Sequence, residues 1–410
     1  MIDESGLQFF AFHGNVNKGI TENHEGEISG EVYRAKNGRW TVEKSNVNLK
    51  DGDVINYWIY AQADGSSYRK IEQSWTVRNC IAICTTVIAG ETHEIPASTE
   101  RIATSTMTLV FEENFDSLNK SVWGRETKIP FGPVIVSYIC NLLFLILIII
   151  MYKFSIFLCS RCTSTNPAEC MRHAVSFNIL PPVISTRLNT KQSFSFQYGK
   201  IEIRAKFPEG DWLYPEMWLE PKYNNYGPVY ASGRVLLGLS RGNENLINVT
   251  DRSIYDSRKL DFGLRVGSSG KVNEYIVSKI RERGRRWTQD FHVYTTIWNT
   301  NGFQFFVDGE EVGYLNSGSN GWLPPTIVNA AGTPVPFDQE FYITLGVGVG
   351  GIRVFPDGTM SSGHRKPWRN VEVKAMLKFW HARNDWLSTW RRDNGRKTVF
   401  EIDYIRVWSF

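Results

Sequence analysis

The chain lacks an excess of charge of either sign. Its 410 residues carry 46 lysines and arginines against 42 aspartates and glutamates, which gives a formal net charge of +4. Proteins that bind polyanions over a wide surface usually concentrate far more positive charge than this. The composition therefore gives no reason to expect nucleic acid or an acidic membrane surface as a partner.

Patterns for metals, helices and export are also missing. No cluster of cysteines and histidines shows the paired spacing of a zinc site, so we expect no metal and no other cofactor. The first ten residues, MIDESGLQFF, lack the basic start and apolar run of a signal peptide. In the first 79 residues no helical period competes with the strand pattern.

Short alternating strands separated by polar turns fill most of the chain. Aromatic residues make up 13% of it, with 14 tryptophans, and there are 34 glycines. Segments such as DVINYWIYAQA, KIEIRAKF and FQFFVDGEEVG alternate between apolar and polar residues, and Asn-Gly and Asp-Gly turns separate such strands. We therefore predict an all-β protein with a first module at residues 1–79, a linker at 80–106 and a second domain at 107–410.

The first module resembles the family 39 carbohydrate-binding module of insect beta-1,3-glucan recognition proteins, through FFAFHGNVN, AKNGRW and LKDGDVINYW. The resemblance implies an immunoglobulin-like β-sandwich with glucan contacts at Trp58, Arg69 and Glu31, where the family more often has aspartate at the position of Glu31. The alternative is that Trp58 lies in the core and the two charges are solvated.

Modules of this family begin some tens of residues earlier. We therefore expect this sequence to be truncated at its amino terminus, without the signal peptide and the first strand. A sandwich without an edge strand exposes backbone groups and part of its core. Such a copy should be less stable than its relatives.

The second domain resembles the beta-1,3-glucanases of glycoside hydrolase family 16, through FQYGKIEIRAKFP and the frame GRVLLGLS-RGN. The resemblance implies a concanavalin-like β-jelly-roll sandwich and matches three acidic positions to Arg234, Leu236 and Leu239. In that family the acidic residues lie at positions i, i+2 and i+5 of one strand. Positions i and i+2 face the same side by alternation, and a β-bulge brings position i+5 onto that side too. Arg and Leu can neither attack an anomeric carbon nor protonate a leaving oxygen, so the sequence predicts that hydrolysis is lost.

Aromatic and acidic side chains near this strand are further candidates for a site. Trp212, Tyr214 and Trp218 are candidates for a sugar-binding cleft, with burial in the core as the alternative. Glu216 and Glu244 are nearby carboxylates that we expect to be solvated charges or turn residues. Neither is predicted to act as a catalytic acid.

An apolar run interrupts the second domain at residues 134–160. No charge occurs from Val134 to Tyr152, and these 19 residues approach the roughly 20 needed to cross a bilayer. We interpret the run as a retained intron or wrong splice choice, because strands continue on both sides of it. A genuine membrane span and a buried core helix are the alternatives, and sequencing a transcript across codons 130–162 distinguishes them.

Two kinds of covalent modification are predicted. Cys162 and Cys170 bracket the short polar loop CTSTNPAEC and are candidates for a disulfide in a secreted protein. Asn119 and Asn248 begin Asn-x-Ser/Thr sequons, which matter only in the secretory pathway.

The resemblance as a whole implies the non-catalytic group of insect beta-1,3-glucan-binding proteins, also called Gram-negative bacteria-binding proteins. We therefore expect a secreted haemolymph protein that recognises microbial beta-1,3-glucan, and other microbial surface polysaccharides are possible ligands. Serine-protease cascade components are partners that the resemblance alone implies, and we expect no membrane attachment. The alternatives are an active endo-beta-1,3-glucanase and a membrane-tethered glucan receptor.

Overall fold

The computed structural model describes most of both predicted units. It covers residues 7–21, 26–34, 49–50, 52–63, 66–77, 107–129, 136–138, 148–149, 156–158, 162–173, 179–228, 230–268, 271–318, 321–322 and 335–410, with the single positions 40, 42 and 47. The predicted linker at 80–106 lies outside these residues.

The first module contains one antiparallel sheet in the order β2-β1-β3-β4. Its strands are β1 Leu7–Val16, β2 Ile28–Val32, β3 Val54–Ala63 and β4 Ser66–Thr76. Side chains alternate between two faces, so Trp58 and its register partner His13 lie on one face while Ile55 and Ile59 lie on the other. The structure thus describes one of the two sheets that the predicted sandwich requires.

The second domain is a sandwich of two large antiparallel sheets, which confirms the predicted all-β jelly-roll class. The seven-stranded sheet has the order β18-β17-β15-β14-β22-β12-β6, and the six-stranded sheet has the order β21-β20-β19-β13-β25-β5. The strands of this domain are β5 Thr108–Glu113, β6 Gly124–Arg125, β7 Val136–Tyr138, β8 Ile148–Ile149, β9 Ile156–Leu158, β10 Met171–His173, β11 Val183–Ser185, β12 Arg187–Asn189, β13 Gly199–Lys206, β14 Leu213–Pro221, β15 Arg234–Ser240, β16 Leu246–Asn248, β17 Lys259–Ser268, β18 Lys271–Ile280, β19 His292–Asn299, β20 Gly302–Val307, β21 Glu310–Leu315, β22 Phe341–Val349, β23 Thr359–Ser361, β24 His364–Arg365 and β25 Glu401–Ser409.

The main core lies between these two sheets. Strand β13, GKIEIRAK, alternates strictly between buried and half-buried positions, so Ile201, Ile203 and Ala205 enter the core. From the seven-stranded sheet, Met217 and Leu219 of β14 enter the same core. Their neighbours Trp218 and Glu220 therefore lie on the opposite side of that sheet, which we call the outer face.

Two short helices pack over the outer face. Helix α1 spans Ala375–His381 and helix α2 spans Arg383–Trp390, and a 3-10 turn follows at Arg392–Thr398. Phe379 of α1 stacks on Trp386 of α2 with ring centroids 4.4 Å apart, so the helices hold each other through aromatic contacts.

The described parts of the apolar run form strands. Strands β7 and β8 both pair with β11, in parallel and antiparallel orientation, and β9 pairs with β10. The core-helix alternative is therefore wrong for these residues. Across the described ranges, no helix combines the length and apolarity that a membrane crossing would need.

A disulfide closes the loop that follows this run. Cys162 and Cys170 are bonded with their Cα atoms 5.4 Å apart, as the short polar loop between them predicted. The backbone N–H of Cys170 also donates to the carbonyl of Pro167. The bond thus joins the two ends of a compact turn.

Candidate functional site

Strand β15 carries the three positions that the resemblance matches to catalytic acids. The pairing of β15 with β17 shifts register between Leu236, which faces Gly263, and Leu239, which faces Asp261. Gly238 occupies this bulge with φ of +150°, and a Cβ there would lie 3.0 Å from Met217. The bulge brings Arg234, Leu236 and Leu239 onto one face, as the i, i+2, i+5 spacing predicted.

That face is covered by a second hydrophobic cluster, which we call the outer cluster. Leu236 and Leu239 are 3% and 2% exposed within it. Helices α1 and α2 supply Phe379, Trp386 and Trp390 from above. The buried members are Ile179, Val183, Trp212, Leu213, Tyr214, Trp218, Leu236, Leu239, Leu246, Val349, Val354, Phe355, Trp368, Ala375, Met376, Phe379, Trp386 and Trp390.

The three aromatic candidates for a cleft belong to this cluster. Trp212, Tyr214 and Trp218 are 2%, 7% and 1% exposed. Trp212 contacts Trp368 edge-on at 5.1 Å, and Tyr214 contacts Phe355 edge-on at 6.1 Å. These side chains pack as a core, which is the alternative that the sequence left open, and they offer no free ring to a sugar.

Beside the outer cluster, the same face carries a buried network of charges. Arg187 of β12 lies 2.5 Å from Glu126, 3.1 Å from Glu216 and 2.7 Å from Glu220. Glu220 also pairs with Arg234 and accepts a hydrogen bond from the Tyr342 hydroxyl at 2.9 Å. Each buried charge is thus compensated by an opposite charge, as burial requires.

The network fixes the ionisation of its central carboxylate. Burial would raise the pKa of Glu220, but the guanidinium groups of Arg187 and Arg234 and the Tyr342 hydroxyl hold that pKa well below its usual range. Burial would likewise raise the pKa of Glu126, but the positive charges of Arg187 and Lys128 hold that pKa below its ordinary value. A carboxyl that stays ionised at neutral pH cannot donate a proton to a leaving group.

Arg234 also covers part of the outer face, because its guanidinium stacks on the ring of Trp218. Its guanidinium carbon lies 4.3 Å from the ring centroid of Trp218, and that of Arg265 lies 4.7 Å away. Cations placed in this way are attracted to the ring quadrupole. Burial would raise the pKa of nearby Tyr230, but Arg265, Arg234 and Arg353 lower it.

The two nearby carboxylates differ from each other. Glu216 is 7% exposed and pairs with Arg187, so the expectation of a solvated charge or turn residue was wrong for it. Glu244 fits that expectation, with a side chain that is 43% exposed and pairs with Arg286 and Arg392 at 3.0 and 2.9 Å. Spacing in YPEMWLEP places Glu216, Trp218 and Glu220 on one face, but nothing in the sequence named Arg187 as their partner.

The first module brings Trp58 and Glu31 onto one sheet face, and the backbone of Arg69 ends the same row. Cα register places Glu31 of β2 opposite Ala11, Ala11 opposite Tyr60, and Tyr60 opposite Arg69 of β4. These residues form one row across the four strands, and Trp58 lies two residues along β3 on the same side. We call this side the aromatic face.

The aromatic face is covered in this structure. Trp58 is 2% exposed and stacks on His13 with ring centroids 4.2 Å apart. Phe9, Ala11 and Trp58 form a small cluster, against which Ile20, Tyr60 and Val373 pack. Val373 belongs to the second domain, so the two units meet here. Sequence reasoning did not identify His13 or this contact.

The two sequon asparagines differ in exposure, since Asn119 is exposed and Asn248 is half-buried. Asn119 accepts hydrogen bonds from Ser121, and Asn248 accepts one from the backbone of Thr250. In the part of the chain that the structure describes, no three histidine, cysteine or acidic side chains are grouped to hold a metal ion.

Two family models match the chain. The model CBM39, described as a carbohydrate binding domain (family 32), matches residues 1–87. The model of glycosyl hydrolases family 16 matches residues 266–333. Among solved structures, the laminarinase catalytic domain from Thermotoga maritima is similar with a TM-score of 0.44 and 20% identity, covering 74% of this chain and 98% of that chain.

Relatives match over almost the whole length. A beta-1,3-glucan-binding protein of Hyphantria cunea is 35% identical over 99% of this chain and 91% of its own length. One of Tenebrio molitor is 31% identical over 99% and 91%, and Gram-negative bacteria-binding protein 1 of Drosophila melanogaster is 30% identical over 99% and 92%. The chain belongs to the family of beta-1,3-glucan-binding proteins.

Proposed function

We propose that the protein binds beta-1,3-glucan through the aromatic face of its first module. The supporting observation is the row Glu31–Ala11–Tyr60–Arg69, with Trp58 beside it on the same face. An indole stacks on the CH groups of a sugar ring, while a carboxylate and a guanidinium hydrogen-bond its hydroxyls. The names of the full-length relatives point to the same ligand.

We also propose that the protein does not hydrolyse glucan. A retaining glycosidase needs two carboxylates about 5–5.5 Å apart, one nucleophile and one acid/base. Arg234, Leu236 and Leu239 occupy the matching positions, and the leucines are buried in the outer cluster. Three carboxylates on this face are held in ion pairs, Glu216 and Glu220 with Arg187 and Asp261 with Arg241 at 3.0 Å, so none of the three is free to act as a nucleophile or an acid.

The biological role follows from the ligand and is part of the proposal. A glucan binder without hydrolysis suits recognition of microbial surfaces in innate immunity, as a secreted protein whose sequons Asn119 and Asn248 carry glycans. Serine-protease cascade components would then be its downstream partners. Other microbial surface polysaccharides with accessible sugar faces would be further ligands.

One experiment tests binding and catalysis together. Purified protein is mixed with insoluble curdlan for pulldown and with laminarin for a reducing-sugar assay. We expect capture on curdlan without release of reducing ends, and loss of capture in Trp58→Ala. Clear turnover of laminarin would contradict the loss of hydrolysis, and unchanged capture of Trp58→Ala would contradict the assignment of the site.

A further inference from the structure

We propose that the second domain acts as a cover over the aromatic face, and that glucan must displace this cover to bind. The proposal rests on the proposed function of that face. Its carrying observation is that Val373 of the second domain packs on the cluster of Phe9, Ala11 and Trp58. A ring that is 2% exposed cannot stack on a sugar until something moves away.

The covered side is the side on which we place the ligand. Glu31 and Trp58 share the aromatic face by register, and the backbone of Arg69 ends the same row. The opposite face also carries apolar contacts of the module, where Ile28 and Ile55 are buried and Val42 sits against Gly30. The second domain therefore occupies the surface on which we place the glucan.

Charge supports the same contact. Tyr33 neighbours Phe9 with ring centroids 5.2 Å apart, and its hydroxyl donates to Glu31 at 2.9 Å. Burial, the hydrogen bond to Glu31 and the negative charges of Glu31 and Glu372 raise the pKa of Tyr33 to about 12. Glu372 belongs to the second domain, so a charge of that domain acts on the tyrosine that donates to Glu31.

The covering segment is held firmly by its own domain. The Asn370 side chain donates to the carbonyls of Ile352 and Phe355 at 2.8 and 3.2 Å. Glu372 pairs with Lys378 of α1, and its carbonyl accepts from the Ala375 backbone. Because both sides of Val373 are anchored, the whole second domain must shift relative to the module when the cover opens.

The contact is small enough for a ligand to compete with it. Val373 is the one apolar side chain of the second domain that packs on this cluster among the described residues. A ligand shifts a two-state equilibrium only by its preference for one state. Glucan binds the open state alone, so its apparent affinity is lowered by the fraction of molecules that are closed.

The test uses Val373→Asp with Val371→Asp as the matched control. Both valines lie in the same segment, but Val371 is 42% exposed and outside the cluster. An aspartate at this half-buried apolar contact disfavours the closed state, so we expect Val373→Asp to raise the affinity for soluble laminarin roughly threefold to tenfold. We expect Val371→Asp to match the wild type, and both variants to keep the wild-type thermal midpoint.

A second readout reports opening without glucan. His13 lies on the aromatic face and is 2% exposed, so diethyl pyrocarbonate should modify it slowly in the wild type and faster in Val373→Asp. His364, whose side chain is 55% exposed, serves as the internal reference in peptide mass spectrometry. Labelling of His13 should not change in Val371→Asp.

The two readouts separate the possible failures. Faster labelling with tighter laminarin binding supports the cover. Unchanged labelling and affinity in Val373→Asp, with a wild type that binds glucan, overturns the cover but leaves the proposed function intact. Faster labelling without glucan capture by any of the proteins overturns glucan as the ligand of this face.

Discussion

The outer face of the second domain and the aromatic face of the first module are both covered, but to different depths. The outer face is covered by an extensive cluster that includes two helices of the same domain. The aromatic face is covered, among the described residues, by Ile20 of its own module and by Val373 from another unit. Burying many apolar side chains is worth far more than burying one. The first surface is therefore part of a folded core, and the second can open.

Charge distinguishes the two faces in the same way. On the outer face, Arg187 and Arg234 are neutralised by Glu126, Glu216 and Glu220. At the aromatic face, the backbone positions of Glu31 and Arg69 lie at opposite edges of one row, with two strands between them. A ligand at the outer face would have to break ion pairs, whereas one at the aromatic face has polar groups to meet.

The largest expected effect concerns the buried network. Glu220→Ala should lower the free energy of unfolding by about 3–5 kcal/mol, because Arg187 and Arg234 lose their shared partner inside the protein. Urea denaturation followed by tryptophan fluorescence measures this. The control is Glu340→Ala, which removes a half-exposed pair with Lys222 at 3.0 Å and should cost less than about 1 kcal/mol. Equal losses in both variants would show that the outer face is not closed by its charges.

The next largest effect on stability is expected at Leu239, one of the three positions that the resemblance matches to catalytic acids. Leu239→Glu should lower the free energy of unfolding by at least about 3 kcal/mol, because it places a carboxylate without a partner in an apolar cluster. Leu239→Met keeps the volume and should cost under about 1.5 kcal/mol. Both are measured by urea denaturation, alongside a laminarin reducing-sugar assay. A stable Leu239→Glu protein with turnover would show that the face is still a cleft.

The sequence predicted much of this fold for physical reasons. Alternation in segments such as GKIEIRAK predicted β13, and the Asn299–Gly302 hairpin followed from the turn residues NTNG. The bulge that aligns Arg234, Leu236 and Leu239 also followed from spacing. These features are local, so local patterns suffice to predict them.

The contacts that cover the outer face and the aromatic face could not be predicted from local patterns. Arg187 meets Glu220 across 33 residues of sequence, and Trp390 meets the backbone of Asp211 across 179. Val373 meets the first module from still farther along the chain. Partners at such distances depend on how sheets, helices and domains pack, and no short-range pattern encodes them. Burial of Trp58 could therefore not be separated from its exposure on sequence alone.

A smaller effect on stability is expected from the titration of Asp211, which lies at the edge of the outer cluster. Burial raises the pKa of this carboxyl to about 6, although the hydroxyl of Ser361 and the charges of Arg392 and His364 lower it and Glu244 raises it. The unfolded pKa is about 3.9, so the folded state binds the proton more tightly. The stability that this proton confers is complete below about pH 4 and lost as the pH rises to about 6.

Asp211→Asn should therefore raise the free energy of unfolding at pH 7.5 by about 1–3 kcal/mol. The amide oxygen can still accept from Ser361, whose hydroxyl lies 3.0 Å from the carboxylate in the wild type. The gain should vanish at pH 4, and it is measured by urea denaturation at both pH values. A variant that is less stable at pH 7.5 would mean that the ionised carboxylate supports the cluster.

The smallest expected effect tests whether the aromatic face alone binds glucan. Trp75 of β4 is 52% exposed and pairs with Ile55, which lies on the face opposite Trp58. Exposure makes Trp75 the more obvious tryptophan for a sugar, yet the register places it away from Glu31 and Arg69. Curdlan capture by Trp75→Ala should equal that of the wild type within error, while Trp58→Ala abolishes capture. Loss of capture in Trp75→Ala alone would move the site to the opposite face and leave the Val373 contact without a role in binding.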